Sequence, residues 1–590
     1  MKTLHKVTSR LFKKHFSRLL TIIAIILVSI GLISGIGEVE FKINHAANET
    51  YVSKNMSDFY LKSNQELGFS SDFYNELSDQ FGNENVMKSF SYEAKIGKEI
   101  FRFITLNFND ISINQLTLIN GHFPKNEHEI VVEKSTKTRN SYALNEKITL
   151  FEKEYTVCGI VANPLLIYEI DEPSFQFFNE PLDKIIYFHQ DELLVYNDIY
   201  VTLSNRNLFN AFNSSYEKEI QLLKKNLINQ FINESFTILT LYENIGFYSL
   251  ISYAQKVGII SIIFLVFFLL ITLLVVFSTM TRLLEEERLQ IACLKTLGYP
   301  KQKIINHYLL FVFIAALCGG ILAFGVGLGV TKIIYSTFNL QYTMPAFPLK
   351  NHFLYYGGTF ALIVLSTVGL TWITGNQLIS QKPVTLLAHK VPKPGKKVII
   401  EKVPFIWNHL SFKYKSSFRN VLLYISRFLM TVISIIGSTV LVLAGIGLMD
   451  CAKKIKDGAS LITIASVLII FSAILCALVI YNITNINVSE RKREIATLMV
   501  LGYHDNEVTS YIYREIYIMT SIGAIIGIPL GYFFLQFVFN LINFGSIADI
   551  NWWSWILAPL LTLFFSFLST KLLYRRIIKT DMNASLKTLE

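Results

Sequence analysis

The chain has 590 residues, of which 52% are hydrophobic and 14% aromatic, with only 17% charged and a mean hydropathy of +0.41. That composition excludes a soluble globular protein with a polar surface and points to an integral membrane protein. The formal charge of +10 does not indicate a nucleic-acid partner, because it is the remainder of two opposite regions: Glu38 to Ala254 holds 30 acidic and 18 basic residues, the rest of the chain 14 and 36.

Residues 2–16 place Leu4, Val7, Leu11 and Phe12 at helical spacing among Lys and Arg, the pattern of an interfacial helix. Apolar runs long enough to cross a hydrocarbon core of ~30 Å, which takes about 20 residues, follow at 19–37, 256–280, 308–335, 353–377, 428–449, 460–483, 511–540 and 554–573. The first run exceeds the roughly 7–15 apolar residues of a secretory signal, so it is expected to stay as a span. Lys and Arg crowd the N-terminus (Lys2, Lys6, Arg10, Lys13, Lys14, Arg18), the 378–427 connection and the C-terminus (Lys571, Arg575, Arg576, Lys579). The excess of positive charge on cytoplasmic segments places all three inside, in the cell membrane, and leaves 40–254 outside. The expected fold class is a polytopic α-helical membrane protein of eight spans with one α+β extracytoplasmic domain between spans 1 and 2. Its parts are 1–39 (interfacial helix and span 1), 40–254 (outer domain), 255–377 (spans 2–4), 378–427 (basic linker) and 428–590 (spans 5–8).

In the outer region, β-rich runs at Glu129–Val132, Lys147–Phe151, Tyr155–Val161, Lys184–Phe188 and Ile199–Leu203 alternate with Asn, Gly, Pro and Asp turns. Helical spacing marks 71–81 and 205–231, the latter through Leu208, Phe212, Tyr216 and Ile220. No catalytic constellation is present; His122, His128 and His189 lack ligand spacing, and His122 and His128 read as loop histidines, so neither a metal nor a cofactor is expected in this chain. Phe175, Phe177 and Phe178 beside Asp171 and Glu172 form either an ordinary core strand or an apolar tip for a lipid or peptide. Of the five cysteines only Cys158 and Cys451 face outside, and both are expected as free thiols.

Aligned on itself at a shift of 204, the chain repeats a segment. Glu286-Glu-Arg-Leu-Gln-Ile-Ala-Cys-Leu-Lys-Thr-Leu-Gly-Tyr299 matches Glu490-Arg-Lys-Arg-Glu-Ile-Ala-Thr-Leu-Met-Val-Leu-Gly-Tyr503 at seven of 14 positions, where chance gives about one. The same shift pairs Gly319 with Gly523 and Gly327 with Gly531, which read as sites of close helix packing. The spans therefore read as two tandem four-helix repeats, only the first of which carries an outer domain. None of the spans places an ionisable residue near its middle, Lys332, Arg514 and Glu515 lying towards ends, which argues against an ion-coupled transporter. A Walker phosphate cradle is also lacking; the nearest string, Pro394-Gly-Lys-Lys397, misses the first glycine and the hydroxyl. If energy is used, a separate subunit supplies it. The repeated segment is the place to receive it, since in each copy Ile, Leu and Leu form an apolar ridge that ends in a Leu-Gly helix stop.

These residues resemble the FtsX-like permeases of ABC transporters, of the MacB and LolC type. Glu-x-x-x-Gln/Glu-Ile-Ala-x-Leu-x-x-Leu-Gly-Tyr is similar to the family's coupling element between the second and third spans. Lys382-Pro-Val-Thr-Leu-Leu387, and more weakly Asp581-Met-Asn-Ala-Ser-Leu-Lys587, resemble its closing Pro-x-x-x-Leu signature. Leu118-Ile-Asn-Gly-His-Phe-Pro124, Glu129-Ile-Val-Val132 and Tyr155-Thr-Val-Cys-Gly-Ile-Val161 are similar to its extracytoplasmic core. The resemblance implies a permease subunit and not an enzyme. Its ATPase-coupling residues are then Glu286, Gln290, Ile291, Leu294, Leu297, Gly298 and Tyr299, with Glu490, Glu494, Ile495, Leu498, Leu501, Gly502 and Tyr503. They dock two copies of a cytoplasmic ATPase that carries ATP and Mg. It further implies export of a lipid, peptide or drug in contact with membrane lipid; the alternative is a mechanotransmitting or signalling scaffold that regulates an external hydrolase or a sensor kinase through an extracytoplasmic protein or peptide. The bacitracin-sensing relatives carry their outer domain late in the chain, which sets this sequence apart from them.

Overall fold

The computed structural model describes residues 2–136, 139–167, 174, 176, 180–204, 214–343, 347–387, 401, 404–409, 411–423, 425–455 and 458–578. In chain order the helices are α1 (Lys2–Lys14), α2 (Phe16–Ser53), α3 (Ser71–Phe81), α4 (Ser214–Gln230), α5 (Ile245–Glu286), α6 (Arg288–Thr296), α7 (Lys301–Phe338) and α8 (Phe353–Ile379). There follow α9 (Pro383–Leu387), α10 (Pro404–His409), α11 (Phe412–Leu423), α12 (Ile425–Lys453), α13 (Ala459–Glu490), α14 (Lys492–Val500), α15 (Asp505–Ile542) and α16 (Trp552–Ile578). Among the described residues eight of these, α2, α5, α7, α8, α12, α13, α15 and α16, are long and apolar enough to cross a membrane. The chain is an integral membrane protein. Two compact units divide it: Met1–Glu38, Gly258–Ile334 and His352–Glu590 form one, Val39–Val257 and Tyr335–Asn351 the other.

The first unit is helical because hydrocarbon offers no water to a backbone N–H or C=O, so each must bond within its own segment. Side-chain hydroxyls obey the same rule: Thr367, Ser434 and Thr439 each donate to the carbonyl one turn back. Around the first four spans, Ile22, Ile26 and Ile30 of α2 pack with Val276 and Met280 of α5, Phe311 and Ala315 of α7 and Ile363 of α8. α1 joins this core, with Leu11 buried in it and the Phe12 ring 5.1 Å from that of Phe311. The glycine pairs mark close approach: a Cβ on Gly319 would lie 2.9 Å from the Ile23 carbonyl oxygen of α2, and one on Gly523 would lie 2.7 Å from the Ile435 side chain of α12. Pro529 and Pro559 sit inside α15 and α16, which continue through them.

The second unit is built on a ten-stranded sheet: β1 (Phe59–Ser63), β2 (Val86–Ile96), β3 (Glu99–Leu106), β4 (Thr117–Gly121), β5 (Glu129–Glu133), β6 (Lys147–Leu150), β7 (Lys153–Ala162), β8 (Lys184–His189), β9 (Asp198–Val201) and β10 (Phe236–Thr240). The strand order is β10-β1-β9-β2-β3-β8-β5-β7-β4, with β6 paired to β7. Among the described residues only β3 with β8 and β5 with β7 run parallel. With α3 and α4 this is an α+β sheet domain. α3 covers the whole of 71–81, capped by the Ser70 hydroxyl accepting from Phe73 N. The second expected helix begins at Ser214; Leu208 and Phe212 lie outside the described residues, as do Asp171, Glu172, Phe175, Phe177 and Phe178. The β2–β3 hairpin, which turns at Gly97 with φ +65°, is not among the strands expected from the sequence.

The connection between α7 and α8 is held within this unit by Lys42. Its ammonium is wholly buried and donates to Pro348 O (2.6 Å), Lys350 O (3.0 Å) and Asn351 Oδ1 (2.7 Å), with the Phe347 ring 4.6 Å away. A buried charge is tolerable only when its donors are satisfied in this way. The connection also meets the sheet domain through Thr343 N to Ile167 O and Lys134 Nζ to Thr343 Oγ1, both 2.7 Å. All five cysteines are free, and burial, helped by nearby Glu129, pushes the Cys158 thiol up to about 11.

Glu133, on β5, makes the sheet sensitive to pH. It accepts from Asn163 N and from the Tyr187 hydroxyl (2.8 Å), yet burial dominates and raises its carboxyl to about 7. A pKa raised on folding stabilises the folded form fully below the unfolded value and loses that contribution as pH rises through the folded one. The thermal midpoint of the full chain should therefore rise between about pH 7.5 and pH 5, by up to about 3 kcal/mol of stability. Glu133→Gln should flatten that component, and equal pH slopes in both proteins would refute the assignment.

Candidate functional site

The two segments singled out by the repeat have the same backbone construction. α5 breaks after Glu286 and α13 after Glu490. The next residue, Glu287 (φ −87°, ψ 7°) or Arg491 (φ −102°, ψ 13°), sits near the bridge region, and a nine-residue helix, α6 or α14, follows. Both helices stop identically. Gly298 N donates to Lys295 O (3.1 Å) and Tyr299 N to Leu294 O (3.1 Å); Gly502 N donates to Met499 O (3.1 Å) and Tyr503 N to Leu498 O (3.1 Å). This paired bonding is a Schellman stop, which needs a left-handed residue, and Gly298 and Gly502 have φ +83° and +86°. A Cβ at either glycine would meet nothing within 4 Å, so the requirement is one of backbone conformation and not of space. The recurring Leu-x-x-Leu-Gly-Tyr spacing is thus the spacing of a helix stop.

The apolar ridge expected of each segment is split by burial. Ile291 and Ala292 are buried with Leu283, Ile305 and Leu386, and Ile495 is buried with Val488, Val508 and Ile512. Leu294 and Leu498 are half-buried on the same cores, and Tyr299 joins the first. The turns face outward instead: Leu297 is 74% exposed, Leu501 69% and Tyr503 52%. Gln290 and Glu494 are exposed too, and the Glu490 side chain lies outside the described residues.

Each break is pinned by a charge, buried at Glu287 and half-buried at Arg491, and the signs are opposite. Glu287, 3% exposed, accepts on Oε1 from Lys14 Nζ (2.7 Å) and His15 Nε2 (2.8 Å). Burial alone would raise its carboxyl, but these donors outweigh it and hold the group below the usual range. Arg18 reaches the adjacent Glu286 at 2.5 Å. Arg491 instead makes a two-pronged bond to Glu515 of α15, at 2.6 and 2.7 Å. Bidentate guanidinium–carboxylate pairing fixes orientation as well as distance. α6 is further tied down by Lys295, whose ammonium donates to the carbonyls of Ile379 (2.6 Å) and Gln381 at the end of α8. α9, the helix formed by the Pro383–Leu387 signature, buries Leu386 beside Ile291. The weaker copy of that signature, 581–587, lies outside the described residues.

A polar seam that the apolar runs conceal joins α13 to α5 and, through Ser17, to α2. Asn482 Nδ2 donates to Thr279 Oγ1 (2.8 Å), Arg282 to Asn487 Oδ1 (3.0 Å) and Asn485 Nδ2 to Ser17 Oγ (3.4 Å). Its signal was available as three asparagines within six residues of the sixth span, each needing a partner inside the bundle.

In the sheet domain, β4–β7–β5 pairing brings His122, Glu129 and Cys158 together, their ligand atoms within 4.8 Å of one another. The linear spacing hid this group. Each donor already has a protein partner: the thiol donates to His122 O and Ile130 O, Glu129 accepts from Lys125 N and Asn126 Nδ2, and His122 Nδ1 donates to Phe123 O. A cavity of about 160 Å³ elsewhere in this domain is lined by Tyr60, Arg102, Asn163 and Tyr200, and Arg102 is paired with Glu93 at 2.8 Å.

The family described as FtsX-like permease C-terminal matches the chain twice, over residues 262–383 and 466–582, so that each match contains one of the two turns. No curated protein matches the chain.

Because the left-handed stop is the only demand at Gly298 and Gly502, substitution should follow backbone preference. Gly→Asn should cost little at either site, whereas Gly→Val should cost about 1–2 kcal/mol and fray the last turn of α6 or α14. Hydrogen exchange at Leu297–Tyr299 and Leu501–Tyr503 reads the difference, and equal effects of Asn and Val would contradict it.

Proposed function

Since the chain belongs to the FtsX-like permease family and is a transmembrane ABC-type permease subunit, we propose that its spans are two tandem four-helix repeats, each docking one copy of a cytoplasmic ATPase through its own turn. The single observation that carries this reading is the twofold occurrence of one construction: a break, a nine-residue helix and a left-handed stop with an exposed leucine beside it. ATP and Mg belong to the partner, and this chain contributes no catalytic group. The basic N-terminus, linker and C-terminus are cytoplasmic, in the cell membrane of a bacterium, and the sheet domain is extracytoplasmic.

Force follows the bonds. Ile291, Lys295 and Glu287 fasten α6 to α1, α8 and α9, so a push on Leu297 must displace that group of helices as a body. α5 then serves as a lever, an unbroken helix of 42 residues from Ile245 to the turn, roughly 63 Å at helical rise. The second repeat has no comparable outward extension, since α12 and α13 are joined by a few residues after Lys453. The ATP-driven stroke is therefore delivered to the outer domain through the first repeat, for export of a lipid, peptide or drug.

The docking surface is tested by Leu297→Asp and Leu501→Asp, both at exposed positions where the fold should be unaffected. Each single variant should lower the amount of co-purified ATPase, and the double variant should abolish it together with ATPase stimulation. Undiminished capture by the double variant would sink the proposal.

A further inference from the structure

A groove of about 560 Å³ runs between the first turns of α15 and the last turns of α16, with Tyr414 of α11 at its rim. Its polar walls supply donors: the Arg514 guanidinium, the Lys571 ammonium, the Tyr513 and Ser510 hydroxyls and the Asn506 amide. Arg514 lies 5.3 Å from the centroid of the Tyr414 ring, and among the described residues neither it nor Lys571 meets a carboxylate. Neighbouring Glu515 is committed to Arg491. The Tyr517 and Tyr574 hydroxyls are satisfied, by Thr570 Oγ1 (2.8 Å) and Asn506 Oδ1 (2.9 Å), whereas the Tyr513 hydroxyl is buried and has no partner among the described residues. A buried donor left unpaired is costly, so the Tyr513 hydroxyl is placed to serve an acceptor that enters the groove.

The corresponding face of the first four spans differs. At positions 204 residues earlier, Tyr513, Arg514 and Tyr517 are replaced by Leu309, Leu310 and Phe313, and Leu310 is exposed, as suits contact with acyl chains alone. The second face has exchanged apolar groups for a cation and two hydroxyls. The groove also lies where the apolar runs 511–540 and 554–573 end, the second at Lys571, Arg575 and Arg576, the level of lipid head groups; the first turn of α15 carries Asp505 and Glu507, neither of which lines the groove, and exposed Phe567 continues its wall with apolar surface.

We propose that this groove binds an anionic phospholipid, with the phosphate held by Arg514, Lys571 and the Tyr513 hydroxyl and an acyl chain lying along Phe567. The shared chemistry with a free phosphate ion is the anion; the apolar wall selects the lipid. Asn506 follows Tyr503 by three residues, so the bound lipid braces the base of the second turn.

The full-length chain, purified in neutral detergent, is titrated with short-chain phosphatidylglycerol or phosphatidylcholine and counted by native mass spectrometry, with inorganic phosphate as competitor. The wild type should prefer phosphatidylglycerol, and inorganic phosphate at millimolar concentration should not displace it. Arg514→Leu with Lys571→Gln should lower that preference by roughly fivefold or more per cation while leaving phosphatidylcholine binding unchanged. An unaltered preference in the double variant overturns the site, and displacement by inorganic phosphate overturns the lipid as its occupant. Should the double variant aggregate, Tyr513→Phe, which removes one hydroxyl and no charge, decides: a weakened preference supports the site and an unchanged one refutes it.

Discussion

Hydrocarbon offers no hydrogen bonds, and that constraint governs how this chain can change direction. Inside the spans the backbone bonds along its own helix, save for the bonds that Pro529 and Pro559 remove from α15 and α16, so turning is confined to helix ends, where four carbonyls or four N–H groups are left over. The two repeated turns are built from this necessity. Each span is broken at Glu287 or Arg491, restarted as a nine-residue helix, and stopped by a glycine that returns the Leu294, Lys295, Leu498 and Met499 carbonyls to backbone donors. What each turn exposes is a leucine beside a backbone-bonded stop.

Charge completes the arrangement. A carboxylate or guanidinium at a break this close to the hydrocarbon must be paired, and the two breaks solve the problem with opposite signs. Glu287 recruits His15 and Lys14, which fixes α1 against the helices; Arg491 recruits Glu515, which fixes α14 to α15. Removing one member of such a pair leaves an uncompensated buried charge, at a cost of about 3–5 kcal/mol. The two turns share a backbone but not a set of partners, and only the first is continuous with a 42-residue helix. The same asymmetry recurs on the outer face of the bundle, where Leu309 and Leu310 stand opposite Tyr513 and Arg514 in the register of the two segments.

Much of this was legible. Spans announce themselves because burial in lipid demands long uninterrupted apolarity, and the Leu-Gly stops because left-handed backbone favours glycine. Strands β5 to β9 were visible from their β-branched runs. The β2–β3 hairpin is less legible although Gly97 marks its turn, because Lys88, Glu93, Lys95, Glu99 and Arg102 interrupt its apolar residues. Helical spacing makes the apolar ridge of each turn look like one surface, but it reports only that residues share a face, and Ile291 and Ile495 are buried while Leu297 and Leu501 are exposed.

The sequence by itself determined the membrane class, the number of spans and the location of both turns, since each follows from local composition or from a left-handed residue at a helix end. Only the tertiary structure decided who pairs with whom. His15 and Glu287 are 272 residues apart, Arg282 and Asn487 are 205, and His122, Glu129 and Cys158 meet through strands that are not consecutive in the sheet. A buried charge states that it needs a partner, but the partner's identity depends on which helices lie side by side, and side-by-side packing is a property of the whole chain.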